Sequence, residues 1–258
     1  MNRLVFITGA SSGLGQALAL RYYQAGYSLA LVARRTDAIQ VWVTACQMDA
    51  ARLRIYTADV ALVDSIVAAG QACLQQQGLP DVVIACAGIS VGVDTAQRSD
   101  MDVIARTFAV NNTGTAASFH PFIAGMLHRG SGRLVGIASV NGIRGLPGHG
   151  ANCPSKAAMI SYCECLRCEL RGSGVKVVTL CPGYVETPMT RKNAYRMPFL
   201  LTPQVFADKA FRAIESGVSY RVIPWQMGVL AKVLRLLPNW LFDKVLAGRP
   251  RKPRSPDV

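Results

Sequence analysis

The sequence predicts an α/β domain built on a doubly wound parallel sheet of about seven strands, with helices on both faces. Apolar, β-branched runs alternate with stretches of helical period from the first residues onward, the mark of successive βαβ units. Those runs are nearly continuous in hydrophobicity, as strands buried on both faces require. A glycine-rich turn separates the first run from the first helical stretch, where such a sheet carries a ligand-binding crevice.

In order, strands are expected at residues 4–8, 29–33, 53–57, 82–86, 133–138, 175–180 and 221–223, with helices filling the intervals. With 258 residues, 51% of them apolar and 17% charged, the chain holds enough core for one domain and is excluded from the disordered class. That domain is expected over residues 1–224. Residues 189–202 depart from the rhythm: Tyr195, Met197, Phe199, Leu200 and Leu201 stand among basic residues, as in a mobile apolar lid. From residue 225 to 247, Leu230, Val233, Leu234, Leu237, Leu241 and Val245 recur near helical spacing around Pro238, predicting an amphipathic helical extension. Residues 248–258 are basic and Pro-rich, a composition that predicts disorder.

The first residues run straight into a strand, without the pattern of a secretory signal. Lys232, Arg235 and Lys244 interrupt the C-terminal apolar region, well short of the roughly 18 to 20 apolar residues that span a membrane. Eight cysteines in a chain of this length fit reduced thiols in the cytoplasm. Cys163, Cys165 and Cys168 form a C-x-C-x-x-C group, but on a helix the first two point about 200° apart, and no metal is expected. The net charge of +13 attracts anions: a phosphorylated cofactor, nucleic acid or an anionic membrane. Nucleic acid is not expected, because the charge is spread along the chain and no binding module stands out.

After the first strand comes Thr8-Gly9-Ala10-Ser11-Ser12-Gly13-Leu14-Gly15. Glycines there permit a tight turn that brings backbone N–H groups and a helix N-terminus against a pyrophosphate. The second strand ends in Ala33-Arg34-Arg35, where an acidic residue would hold ribose hydroxyls and an arginine instead favours a 2′-phosphate. NADP(H) is therefore expected over NAD(H).

With the spacing T-G-x-x-x-G-x-G the chain resembles the short-chain dehydrogenase/reductase family, of Rossmann type, over roughly residues 3–223. Further family motifs recur in order: Asp59-Val60, Ala87-Gly88, Asn111 in Asn111-Asn112-Thr113-Gly114, and Pro182-Gly183-Tyr184-Val185-Glu186-Thr187. The resemblance implies that Asp59 and Val60 contact the adenine, that Asn111 is the active-site asparagine, and that Pro182, Gly183, Val185 and Thr187 hold the nicotinamide. It also implies that Ser139 hydrogen-bonds the substrate oxygen and that Lys156 binds the ribose. The family's proton-passing tyrosine belongs four residues before that lysine, where this chain has Asn152.

An asparagine amide donates hydrogen bonds but does not titrate near neutral pH, and losing a positioned acid costs about 10²–10⁴ in rate. Three accounts stay open: a substitution in an otherwise working enzyme, an NADP(H)-binding pseudoenzyme with a regulatory or scaffold role, or another proton source such as His149, Tyr184 or a held water. A helix N-cap at Asn152 is compatible with all three. His149 is expected as a loop imidazole at the pocket mouth. The function implied is interconversion of a carbonyl and an alcohol on a lipophilic small molecule met by His149, Tyr184, Tyr195 and Phe199. A homodimer or homotetramer through the helix at about residues 154–171 is implied as well. The tail, with Trp225, Trp240 and Phe242 among basic residues, also suits peripheral contact with an anionic membrane.

Overall fold

Strand β1 (Leu4–Thr8) is buried along its whole length, and its side chains alternate between two cores. Leu4 and Phe6 face one layer of helices; Val5 and Ile7 face the other. A strand covered on both sides needs an apolar residue at every position, so its sequence shows no polar alternation. β2 (Ser28–Ala33), β4 (Val82–Ala85), β5 (Gly132–Ile137) and β6 (Val175–Pro182) largely repeat this. The more exposed β3 (Leu53–Thr57) and β7 (Tyr220–Ile223) form the edges. In the computed structural model, which describes residues 3–191, 196–248 and 250–254, the seven strands lie parallel in the order β3-β2-β1-β4-β5-β6-β7. The order reverses between β1 and β4, which opens a crevice at the carboxyl ends of the strands.

Helices α1 (Gly13–Gln24), α2 (Thr36–Ala45) and α7 (Pro203–Glu215) cover one face through Leu18, Tyr22, Ile39, Phe206 and Ile214. Helices α3 (Val63–Gln76), α5 (Gly114–Arg129) and α6 (Asn152–Glu169) cover the other through Ile66, Phe122, Met126, Met159 and Leu166. Burying each such side chain contributes about 1.5–3 kcal/mol, so both layers are held against the sheet. Helix α4 (Asp100–Phe108) sits to one side over a small cluster of Val91, Val93, Val103 and Ala151. On α6, Cys163 is buried while Cys165 and Cys168 are exposed.

The C-terminal extension folds as α8 (Trp225–Leu236) and α9 (Asn239–Leu246), broken at Pro238. Arg144 pins it. Its guanidinium donates to the carbonyls of Leu234 and of Leu237 (2.8 Å), and lies 3.8 Å from the centre of the Phe242 ring. Cationic donors at a helix C-terminus satisfy carbonyls that the helix cannot. Trp225, Val229, Val233, Leu236 and Trp240 remain exposed. Among the described residues no helix is long and apolar enough to cross a membrane.

The expectation of disorder from residue 248 onward is corrected for residues 250–254. Arg254 makes two hydrogen bonds, 2.8 and 2.9 Å, to the buried carboxylate of Asp100, and the Pro253 carbonyl accepts from Gly92 N–H at 3.0 Å. Composition registers the charges of a tail; it does not register a buried carboxylate 154 residues away that receives one of them.

Candidate active site

A cleft of about 600 Å³ lies at the carboxyl ends of the strands. Its floor is the turn after β1. Gly9 takes φ 71 and passes so near the end of β4 that a Cβ there would stand 2.8 Å from the Ala87 backbone. A Cβ on Gly15 would fall on the Gly9 carbonyl. Thr8 is buried beneath, and its Oγ1 accepts from the N–H groups of Cys86 (3.1 Å) and Ala87 (3.2 Å), which fixes the facing loop. Ser11, Ser12, Gly13 and Leu14 line the cleft at the start of α1. Ser12 makes no side-chain cap, so the first-turn amides stay available to an anion. The bare glycine backbone and these donors fit the pyrophosphate of a dinucleotide.

Arg34 and Arg35, at the end of β2, line the same cleft, as do Asp59 and Val60. Asp59 accepts from Ala61 N–H (2.9 Å) and from Arg106 (2.7 Å), with Arg34 at 3.9 Å. Burial pushes its carboxyl up, but the Ala61 amide and the two guanidinium groups outweigh that and hold it below the usual range. Two arginines thus gather around one carboxylate, and Arg35 lines the same cleft, leaving a net positive corner suited to a phosphate. Arg106 was not legible as a site residue: it sits within α4 and belongs to no motif.

The opposite wall is Ala87, Gly88, Ile89 and Ser90. Asn111, in a single π-helical turn between α4 and α5, is fully buried and props this wall. Its Oδ1 accepts from Ile89 N–H (3.0 Å), while its Nδ2 donates to the Ile89 carbonyl (3.1 Å) and to Ser155 Oγ (2.9 Å). Expected at the reacting centre, it lies behind the cleft lining. Cys86 lines the cleft too, and burial pushes its thiol up to about 12.

Ser139, Asn152 and Lys156 all line this cleft. Ser139 follows β5, and its Oγ accepts from Asn141 N–H at 3.1 Å, which leaves the hydroxyl proton to donate. Lys156 Nζ donates to the Ile137 carbonyl at 2.8 Å; burial lowers its pKa to about 8. Asn152 is the first residue of α6, the cap position falling to Ala151 with no side-chain cap. The N-cap compatible with all three accounts is therefore not formed by Asn152, which lines the cleft with its buried Oδ1 lacking a hydrogen-bond partner among the described residues.

Pro182, Gly183, Tyr184, Val185 and Thr187 form the remaining side. Thr187 Cγ2 lies 3.3 Å from where a Gly13 Cβ would be, so this segment closes directly over the glycine turn. Two expected substrate residues are misplaced. His149 is buried at 5% exposure outside the cleft lining, in a loop whose His149 N–H donates to Leu146 O (3.1 Å); burial lowers its pKa to about 4. Phe199, 51% exposed, also lies outside the lining: the backbone turns there (φ 56) before Leu201 joins Val185. Tyr195 lies outside the described residues. Lys252 lines the cleft without any motif to announce it.

The model of the short chain dehydrogenase family matches residues 3–197. An uncharacterized oxidoreductase of Myxococcus xanthus is 34% identical over 241 residues, which cover 93% of this chain and 95% of that protein. A short-chain dehydrogenase from Streptomyces avermitilis superposes with a TM-score of 0.81 at 25% identity, over 96% of this chain and 99% of that one. A short chain dehydrogenase/reductase from Burkholderia phymatum, solved in complex with NAD, gives a TM-score of 0.81 at 24% identity, over 98% of each chain.

Proposed function

Because this chain belongs to the short-chain dehydrogenase family, we propose that it is an NADP(H)-dependent oxidoreductase. It interconverts a carbonyl and an alcohol on an apolar small molecule, with proton transfer impaired by Asn152. The observation that carries this reading is the meeting of Ser139, Asn152 and Lys156 with the residue 9–15 turn in one cleft.

When bound, the nicotinamide supplies or takes the hydride. The first-turn amides of α1 hold the pyrophosphate, and Arg34 and Arg35 favour the 2′-phosphate of NADP(H). Ser139 donates its hydroxyl proton to the substrate oxygen. Lys156 offers N–H donors to the ribose, beside the Ile137 carbonyl. Asn152 can hold the substrate oxygen through its amide but has no proton to pass. That single feature also favours a second reading, an NADP(H)-binding pseudoenzyme.

The same proposal places the protein in the cytoplasm as a homodimer or homotetramer joined through α6. The apolar face of α8 and α9, flanked by Lys232, Arg235 and Lys244, suits peripheral contact with an anionic membrane.

Calorimetric titration with NADPH and NADH, followed by NADPH oxidation over apolar ketones, tests the reading. NADPH is expected to bind at least about tenfold more tightly, one charge-assisted contact being worth that much. NADH binding as tightly would contradict the cofactor assignment.

A further inference from the structure

We propose that the C-terminal strap, residues 251–254, completes the cleft with a site for a carboxylate on the substrate, and that Lys252 receives it. This rests on the oxidoreductase reading above and narrows its substrate to an apolar oxo acid.

The strap has a prepared path. Gly92 pairs with Arg254 in a parallel bridge and donates its N–H to the Pro253 carbonyl at 3.0 Å. A Cβ on Gly92 would fall on the Lys252 carbonyl. A Cβ on Gly148, whose φ is 75, would stand 3.0 Å from Arg251 Cβ and 3.1 Å from Lys252 N. The two loops are tied by the Val93 N–H to Gly148 O bond of 3.1 Å. Neither carries a side chain where the strap crosses, so the crossing fits the body of the protein closely.

The strap is also latched. Asp100, buried at the start of α4, accepts two hydrogen bonds from Arg254 and one from Asp94 N–H at 2.7 Å. A bidentate guanidinium–carboxylate pair fixes orientation as well as proximity. Arg251 lies 4.0 Å from Asp94. Both arginines of the strap therefore meet carboxylates outside the cleft.

Lys252 differs from them. It points into the cleft lined by Ser139 and Asn152, and its Nζ donates to Ser90 Oγ at 2.6 Å. Among the described residues it forms no ion pair with a carboxylate, whereas its strap neighbours do. Ser90 lies two residues beyond Gly88, where a Cβ would stand 3.5 Å from Lys156 Nζ, so Lys252 meets the wall that faces Lys156. Burial pulls the Lys252 pKa down. A half-buried ammonium with a hydroxyl beside it gains most from an anion that takes hydrogen bonds from both. An oxo group held at Ser139 and a carboxylate held at Lys252 and Ser90 then fix a substrate at two points.

The test is direct binding to the native, NADPH-loaded protein of benzoylpropionate and benzoylbutyrate, each beside its methyl ester. At least one acid is expected to bind roughly 10- to 100-fold more tightly than its ester, the worth of one charge-assisted contact. Lys252→Gln is expected to erase that difference by weakening the acid alone. Arg254→Gln, which releases the latch from outside the cleft, is expected to weaken the acid in the same direction, with NADPH affinity unchanged in both variants. Acids no tighter than esters, neither class bound, or an acid indifferent to Lys252→Gln overturns this inference while bound NADPH leaves the oxidoreductase reading standing. Failure of the native protein to bind NADPH overturns both.

Discussion

Asn152 and Lys156 stand one turn apart on the cleft side of α6, and only one of them has its polar tip satisfied. Lys156 Nζ donates to the Ile137 carbonyl at 2.8 Å, whereas Asn152 Oδ1 is buried without a partner. Leaving a buried acceptor unpaired costs about 1–3 kcal/mol. An acceptor kept in that state at a cleft wall is consistent with a position shaped for a ligand group.

Removing that acceptor relieves its desolvation cost and removes little packing. Asn152→Ala is therefore expected to change stability by less than about 1 kcal/mol in urea unfolding. A loss of twice that size would mean the side chain holds the fold together and is not waiting for a ligand.

In the proposed function, the positive corner at the end of β2 favours NADPH over NADH. Replacing Arg34 and Arg35 together by Ser is expected to weaken NADPH by roughly 10- to 100-fold and to leave NADH within about threefold. Equal losses for both cofactors would mean the arginines hold something other than the 2′-phosphate.

At Gly9, conformation and space act together. An alanine there meets both the φ of 71 and a contact of 2.8 Å with the Ala87 backbone. Gly9→Ala is expected to cost on the order of 1–3 kcal/mol and to abolish NADPH binding. Thermal unfolding and a cofactor titration read the two effects separately, and full NADPH affinity in the variant would contradict the close-approach argument.

Burial lowers the pKa of His149 from 6.5 to about 4, so the folded protein favours the neutral ring. The unfolded chain takes up a proton as pH falls below about 6.5, and the folded chain resists until about 4. Stability is therefore lost as pH falls through that window and is unaffected by this group above it, by roughly 1–3 kcal/mol in all. His149→Gln is expected to flatten that slope. Any pH–rate profile is expected to lack an inflection near 6.5 from this residue; one that disappears in the variant would restore a catalytic role.

The sheet was legible because strands buried on both faces leave continuous apolar runs. Residues 4–8 and 53–57 coincide with β1 and β3, and the other strands differ from expectation by one or two residues. The glycine turn, Arg34, Ser139 and Lys156 were legible because each sits at a fixed offset from a strand or helix end. What was not legible depends on contacts between distant segments. Lys252 meets Ser90 across 162 residues, and Arg106 becomes a site residue only because α4 lays it against Asp59. The burial of His149 is not legible for the same reason, since the strap that crosses Gly148 beside it has no local signal. Phe199 shows the limit of composition: an apolar segment predicts contact with something, but a turn at one residue decides with what.

In the proposed function, Asn152 impairs proton transfer in a site that otherwise carries the residues of a reductase. NADPH oxidation over a panel of apolar ketones and oxo acids, run for the native protein beside Asn152→Tyr, tests it most directly. The account predicts turnover about 10²–10⁴ faster in the tyrosine variant, with NADPH affinity unchanged. Equal turnover in the two proteins, or none in either while NADPH remains bound, would contradict it.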